Sequence, residues 1–562
     1  MIHPRLSSNV GSRLSAQAAR FPELLGIATP TGSHRQGTSR SYRTISLRDL
    51  DERSTCIAAG LQSMGIGPAH RIALLVRFGE DFIALVFALL KTGATLVLVD
   101  PGMGRKNLLK CLAETQPDGF VAIPLAQAIL KAKRNLFPNA KLNVTVGRRF
   151  GILPSPTLDQ LEANRSIRFQ PPDTQLHDSA AIIFTTGSTG PPKGVQYTHQ
   201  TFQSQIDRIS DQYQIQPGGK DLSGFPLFGL FNAVMGTSTI LPDMDPSRPA
   251  DVDPPRLLDA IGQWEINQSF GSPALWTKMG LYCKSTGRRM ESLKLVLSAG
   301  APVPSRVLEQ IRTAMHPDGK VFTPYGSTEA LPIASIESRE VLQETSKLTD
   351  QGLGTCVGKR FAQVQWKVIE ITDEPIATID QVRQVATGQI GELMVCSPSV
   401  THRYVTRTDQ NSLHKVLGSD SQGNPMVWHR MGDVGYLDAS DRFWFCGRKS
   451  HRVRTLQGPI FTEPIEAVIN THPSVYRSAL VPLGSTPDQK PVVIIEPWPE
   501  HRKEVQANLA AYRQQWQALV SKFHPSVEIE SFVVYPKRLP TDIRHNSKIF
   551  REELTAWLAR GK

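Results

Sequence analysis

The segment Ile183-Phe-Thr-Thr-Gly-Ser-Thr-Gly-Pro-Pro-Lys-Gly-Val195 gathers hydroxyls, glycines and a lysine in a form suited to a phosphorylated ligand. Thr185, Thr186, Ser188 and Thr189 supply hydroxyl donors. Gly187 and Gly190 let the backbone turn its N–H groups toward an anion with no Cβ in the way. Lys193 adds a mobile point charge at the end of the loop, which suits a polyphosphate. The loop is not a Walker A motif, because Pro192-Lys193-Gly194 stands where that motif needs Gly-Lys-Ser/Thr. The sequence has no kinase-type glycine-rich loop either, which disfavours a motor or a kinase. A turn of this composition is by itself an ordinary loop, so its meaning rests on its companions.

Positioning such a loop takes a framework of strands and helices. Residues 181–184 form a short apolar run that reads as a buried strand emptying into the loop. Upstream, residues 71–76 read as a buried strand, 81–91 as a helix and 95–99 as a further strand ending at Asp100-Pro-Gly-Met-Gly104. Such alternation predicts an α/β layered domain. The pattern recurs with a strand at 293–298, a turn at 299–302 and a helix at 304–314. Residues 216–249, rich in Gly, Pro and Asp, are expected to be mostly loops around one short helix. Toward the C-terminus, residues 477–481, 491–496 and 530–535 read as strands. Val505, Leu509, Tyr512, Trp516, Leu519 and Phe523 recur at three- and four-residue spacing, the mark of one amphipathic helix with a packing face.

A chain of 562 residues is too long for one small core, so a large domain plus a smaller one is expected. The net charge of +12 fits an anionic ligand, yet the basic residues are scattered, with no basic arm and no basic–aromatic run. That distribution favours a nucleotide over DNA or RNA. The six cysteines contain no C-x-x-C pair and read as reduced thiols of a cytosolic protein. The first eight residues lack the apolar core of a signal peptide. The longest apolar run, 82–90, is about half of what a membrane span needs. A cytoplasmic protein that does not span a membrane is expected.

Four further segments accompany the loop: Leu297-Ser-Ala-Gly-Ala-Pro302, Tyr325-Gly-Ser-Thr-Glu329, Met431-Gly-Asp-Val-Gly-Tyr-Leu-Asp438 and Phe445-Cys-Gly-Arg448. A lysine at Asn546-Ser-Lys-Ile-Phe-Arg551 completes the set. Together, in this order, they resemble the motifs of the adenylate-forming superfamily of acyl-CoA synthetases, luciferases and peptide-synthetase adenylation domains. The resemblance implies a large N-terminal adenylation domain, residues 1–447, and a small mobile α+β lid, residues 448–562. It implies ATP and Mg²⁺. Gly300, Ala301 and Pro302 would line the adenine pocket beside Tyr325, Gly326 and Ser327. Asp433 would accept from the ribose hydroxyls, Arg448 would contact ribose or phosphate at the hinge, and Thr328 would donate to the α-phosphate. Glu329 is a hard oxygen ligand for the metal, and Lys548 would bridge the attacking carboxylate and the α-phosphate. Residue by residue, blander readings stand beside these: a helix N-terminus at Ser327-Thr-Glu329, a turn aspartate at Asp433, a core tyrosine at Tyr325 and a solvated lysine at Lys548. A non-catalytic nucleotide-binding scaffold would have no need of Lys193, Glu329, Asp433, Arg448 and Lys548 together.

Several positions depart from the common pattern. The hinge reads Gly447-Arg-Lys-Ser-His451 in place of Gly-Arg-x-Lys-Asp, and Leu456-Gln457 replaces the Gly-Gly that admits a pantetheine arm. Asn546-Ser547-Lys548 replaces Thr/Ser-Gly-Lys, and Pro226-Leu-Phe-Gly229 replaces Pro-x-Phe-His. The resemblance places Phe228, Gly229 and Gly271 on the acyl pocket, and the missing side chain at Gly229 is expected to open room for a branched acyl group. With Val99-Asp-Pro-Gly-Met-Gly-Arg105 and the stretch 444–453, these departures resemble the β-lactone synthetase branch of bacterial olefin biosynthesis. That branch adenylates a long-chain 2-alkyl-3-hydroxy fatty acid and lets its own 3-hydroxyl displace AMP, and it implies association with other enzymes of the pathway. The alternative is a long-chain fatty acyl-CoA ligase or an acyl-AMP ligase. No base for the hydroxyl is evident; His199 and His451 are the histidines weighed for it, against structural roles for both.

Overall fold

Short, largely apolar strands build the core of the first sheet, as expected for parallel strands buried on both faces. Its strands are β1 (Arg71–Leu75), β2 (Thr95–Leu98), β3 (Gly119–Ala122), β4 (Val144–Thr145), β5 (Ser179–Phe184) and β6 (Gly194–Thr198), in the order β4-β3-β1-β2-β5-β6. All neighbours are parallel except β5 and β6, an antiparallel pair joined by the 185–193 loop. Helix α1 (Glu80–Lys91) is buried over most of its length. Helices α2 (Arg105–Thr115) and α3 (Pro124–Ala132) share a second core with Phe120 and Phe137. The computed structural model describes residues 8–32, 40–148, 155–163, 167–185, 190–224, 229–542 and 548–560.

A fourteen-stranded sheet follows, parallel in one half and antiparallel in the other. The parallel half holds β7 (Lys220–Ser223), β8 (Ser238–Ile240), β9 (Gln268–Gly271), β10 (Leu295–Ser298) and the start of β11 (Lys320–Ser327). Two N-terminal strands, Leu25–Pro30 and Tyr42–Ser46, extend it beyond β8. The antiparallel half holds β12 (Ala330–Glu337), β13 (Thr355–Arg360), β14 (Gln365–Ile369), β15 (Gly391–Cys396), β16 (Lys415–Ser419), β17 (Pro425–Leu437) and β18 (Arg442–Arg448).

The region 216–249 departs from expectation, since β7 and β8 flank the helix Asn232–Met235 inside it. Their sequences, Lys-Asp-Leu-Ser and Ser-Thr-Ile, show no apolar alternation because their polar side chains satisfy one another internally. Asp221 accepts from Ser223 (2.5 Å) and Asn232 (2.9 Å), and Asn232 also reaches Thr239 (3.3 Å). Buried polar groups are tolerated when paired in this way.

Beyond Arg448 lie a hairpin, β19 (Val453–Thr455) and β20 (Gly458–Ile460), helix α4 (Thr462–Asn470), and a sheet of β21 (Val475–Leu483), β22 (Lys490–Pro497) and β23 (Ser531–Val534). Helix α5 (Arg502–Ala507), α6 (Leu509–Phe523) and α7 (Arg551–Ala559) cover it. Two core clusters draw only on residues from Val453 onward. The single amphipathic helix expected around 505–523 is two helices, broken at Asn508 (φ −118°, ψ 33°). The break re-phases the stripe: Val505, Trp516 and Val520 are fully buried, while Leu519 and Phe523 are only half-buried.

This unit packs on the large sheet. Thr355 of β13 donates to Glu463 of α4 at 2.7 Å, and Gly352, at φ 84°, leaves no room for a side chain against His524. Burial, reinforced by neighbouring Glu466, pushes the Glu463 carboxyl up to about 7. The folded protein therefore holds this proton up to about pH 7 while the unfolded chain releases it near the ordinary 4.5, so this group's stabilisation falls as pH rises through that window. Glu463→Gln keeps an acceptor for Thr355 without the charge. It is expected to raise Tm by about 2 °C or more at pH 8 and to leave it unchanged at pH 4, by scanning calorimetry.

Candidate active site

Four parallel strands end along one edge of the large sheet, placing Ser223, Gly271, Ser298 and Tyr325 near one another. Open α/β sheets bind ligands at the carboxyl ends of such strands. Gly300 turns the chain there at φ 101°, with Ala301 and Pro302 leading to the helix Ser305–Ala314. β11 then reverses into β12 through a two-residue turn, Thr328 and Glu329, and the ladder shifts register just before the turn, with the extra residues on β12 between Ala330 and Ala334. These two residues therefore sit at a hairpin tip, not at the helix N-terminus that Ser327-Thr-Glu329 also allows. The backbone prefers the turn because both flanking segments complete a sheet ladder.

Glu329 is only 8 % exposed. Its Oε1 accepts from the Tyr404 hydroxyl at 2.7 Å, and its carbonyl accepts from both the backbone N–H and the hydroxyl of Thr401 at 2.9 Å. Burial alone would raise its pKa, but the Tyr404 hydrogen bond and the charges of Lys193 and Lys415 outweigh it and hold the carboxyl below its usual value. Both lysines lie against the Tyr404 ring, Lys193 Nζ at 4.8 Å from its centroid and Lys415 Nζ at 5.5 Å. Lys415 donates to the Thr401 carbonyl at 2.5 Å, and burial lowers its pKa to about 7. His414 Nε2 is 3.4 Å from Lys193 Nζ; burial, aided by that ammonium, lowers the imidazole to about 4, so the neutral ring is the acceptor. Tyr197 donates to the Thr328 carbonyl at 2.5 Å and pins the other side of the hairpin tip.

A second cluster spans β11, β17 and β18. The Tyr325 hydroxyl donates to Asp433 Oδ2, and Arg448, directly across the ladder, pairs with Asp433 Oδ1 at 3.0 Å. Arg448 also donates to the Met431 carbonyl at 3.0 Å. Burial raises the Asp433 pKa, opposed by Arg448, by Tyr325 and by the charge of Lys548. Lys548 thus lies within electrostatic reach of Asp433, although they are more than a hundred residues apart; its backbone is held by paired hydrogen bonds to Asp542 at 2.9 and 3.0 Å. Tyr325, expected to offer its face to adenine, spends its hydroxyl on the aspartate expected to bind ribose.

The 185–193 loop is closed at its base by Thr185 N donating to the Lys193 carbonyl (3.0 Å) and Lys193 N donating to Thr185 Oγ1 (3.1 Å). Thr186, Gly187, Ser188, Thr189 and Phe228 lie outside the described residues, whereas Gly190 lies within them. The two glycines expected on the acyl pocket, Gly229 and Gly271, are close-packing positions. A Cβ on Gly229 would meet Ser223 Oγ at 2.6 Å, and one on Gly271 would meet Trp276 Nε1 at 2.8 Å. The room expected beside Gly229 is therefore taken by Ser223, itself held by Asp221.

Both weighed histidines are packed against neighbouring elements. His199 Nδ1 accepts from the Val10 backbone N–H at 3.1 Å and is fully buried. His451 Nε2 is 3.5 Å from Glu552 of α7. The segment around it is clamped. Lys449 donates to buried Glu392 and to the Thr372 carbonyl, both at 3.0 Å, while Arg452 and Arg454 reach Asp373 at 2.8 and 2.6 Å. Sequence reasoning missed Tyr404, His414 and Lys415, for none sits in a recognisable motif. Their only local signal is a run of polar residues directly after the buried strand β15.

Residues 15–405 match the family of AMP-binding enzymes. The olefin beta-lactone synthetase of Xanthomonas campestris pv. campestris is 42 % identical over 556 residues, covering 98 % of both chains. The chain belongs to the AMP-binding enzyme family. A second olefin beta-lactone synthetase, from Stenotrophomonas maltophilia, is 42 % identical over 552 residues, again with 98 % of each chain covered. Among solved structures, the amide bond synthetase McbA from Marinactinospora thermotolerans superposes with a TM-score of 0.73 at 18 % identity, covering 98 % of this chain and 100 % of that one. The o-succinylbenzoate CoA synthetase of Bacillus subtilis, in complex with an acyl-adenylate, gives 0.72 at 18 % identity and 97 % coverage of each. Similarity at that level speaks for the adenylate-forming fold alone.

For this AMP-binding enzyme, Gly229→Val is expected to destabilise the fold by about 1–3 kcal/mol through overpacking against Ser223. Urea unfolding would read it, and a variant as stable as the wild type would show that the site has spare room.

Proposed function

We propose that this enzyme uses ATP to convert a long-chain 2-alkyl-3-hydroxy fatty acid into its acyl-AMP, and then closes the 3-hydroxyl onto the activated carbonyl to give a β-lactone. The observation that carries this reading is the 42 % identity to two olefin beta-lactone synthetases across 98 % of the chain.

In the first step a carboxylate oxygen attacks the α-phosphorus and pyrophosphate leaves. Both reactants are anionic, so charge neutralisation and alignment do most of the work. Lys193, backed by neutral His414 and the Tyr404 ring, would hold the leaving phosphates with the hydroxyls and N–H groups of its loop. Thr328, on the pinned hairpin tip, would donate to the α-phosphate. Lys548 would bridge carboxylate and α-phosphate, a place supported by its electrostatic reach to Asp433. Asp433 and Arg448 would exchange part of their mutual pairing for the ribose and phosphate.

The metal site fits Mg²⁺: a buried, ionised carboxylate at Glu329 is the hard oxygen donor that this ion combines with phosphate oxygens. Bound there, Mg²⁺ would neutralise charge on the phosphates.

In the second step the 3-hydroxyl oxygen bonds to the carbonyl carbon and AMP leaves. The hydroxyl proton passes to the departing phosphate. Tethering the nucleophile to its electrophile supplies the effective concentration that ring closure needs. The small unit, residues 448–562, would act as a lid carrying Lys548, hinged just after Arg448. The enzyme would work in the cytoplasm beside the enzymes that make the hydroxy acid and consume the lactone.

Incubation with ATP and a 2-alkyl-3-hydroxy acid, with and without CoA, tests this reading. Lactone and AMP are expected without CoA; strict dependence on CoA would replace it with an acyl-CoA ligase. Lys548→Ala is expected to lower ATP–pyrophosphate exchange by about a hundredfold or more with an unchanged circular dichroism spectrum. Undiminished exchange would remove Lys548 from the adenylation step.

A further inference from the structure

Helix α3 buries one side and exposes an apolar stripe on the other. Its inward residues account fully for its place in the fold. Gln127 donates to the carbonyls of Phe120 (3.1 Å) and Val144 (2.8 Å), tying β3 to β4, and Leu130 joins the core with Phe137. The outward residues Leu125, Ala128, Ile129 and Ala132 follow i, i+3, i+4, i+7 spacing and are all exposed. Leu125 is 66 % exposed, Ile129 38 % and Leu136, in the turn that follows, 47 %. Nothing in the packing of the sheet needs these three side chains.

The charge around the stripe is one-sided. Between Asp118 and Asp159 the sequence has no acidic residue. Lys131, Lys133, Arg134 and Lys141 are exposed within that interval, and α2, which shares its core with α3, presents Lys106 and Lys110. Apolar side chains rimmed by lysine and arginine match the boundary between acyl chains and anionic headgroups. The helix lies beside β4, at the opposite edge of the six-stranded sheet from the loop that carries Lys193.

We propose that this face, Leu125, Ile129 and Leu136 within their basic rim, docks the enzyme peripherally on an anionic phospholipid bilayer. Co-sedimentation of the full chain with vesicles of phosphatidylcholine alone, or of phosphatidylcholine with phosphatidylglycerol, tests it. Binding is expected only to the anionic vesicles, and to be lost at about 0.5 M NaCl. Leu125→Ser with Ile129→Ser is expected to weaken partitioning about tenfold or more, and Lys133→Glu with Arg134→Glu to a similar degree. ATP–pyrophosphate exchange with a water-soluble acid should remain at the wild-type level in both double variants. Absence of binding to anionic vesicles, equal binding to both kinds, or wild-type binding by both variants would overturn the proposal. So would self-association in solution that the double serine variant abolishes while vesicle binding is absent, since that would make the face a protein contact.

Discussion

A carboxylate at the tip of the β11–β12 hairpin must stay ionised while almost wholly removed from water, and much of the surrounding architecture serves that requirement. Burying a lone charge is costly, and an isolated Glu329 would take up a proton instead. Tyr404 prevents this by donating to it. Lys193 and Lys415 supply the field, and the Thr401 backbone fixes the hairpin from behind. These residues come from three separate parts of the chain. The hairpin tip, the end of the 185–193 loop and the segment after β15 must therefore all be in place before Glu329 can be charged.

The same logic repeats away from the hairpin. Arg430 and Lys449 share the Glu392 carboxylate, with Arg430 at 2.6 Å and Lys449 at 3.0 Å, so the segment after Arg448 is anchored by a charge that would be expensive to expose without its partners. Asp221, with Ser223 and Asn232, makes a polar knot under the proposed acyl pocket and leaves Gly229 no side-chain room. Such networks rigidify because removing one member strands the others.

The parallel strands at 71–76 and 95–99 were legible because strands buried on both faces need continuous apolar runs, and the helix at 81–91 because it lies between them. β7 and β8 were illegible for the opposite reason: their buried side chains are polar and satisfy one another, so no apolar period marks them. Asn508 broke a helix whose stripe looked continuous, because three- and four-residue spacing alone does not reveal where the backbone leaves αR. At the site, Lys193, Glu329, Asp433, Arg448 and Lys548 stood in recognisable segments. Tyr404, His414 and Lys415 did not, since a tyrosine or a buried lysine carries no local sign of what it will face.

The types and order of the chemical groups were thus determined by the sequence alone: a hydroxyl- and glycine-rich loop with its lysine, an acidic residue after Ser327-Thr328, an aspartate, an arginine and a late lysine. Those are properties of short segments, and local chemistry suffices to read them. Only the tertiary structure decided that Glu329 sits on a hairpin and is kept ionised by Tyr404, that Asp433 is held between Tyr325 and Arg448, and that Gly229 is a packing glycine. Each of those facts depends on burial and on partners from distant strands, and desolvation is set by the whole fold.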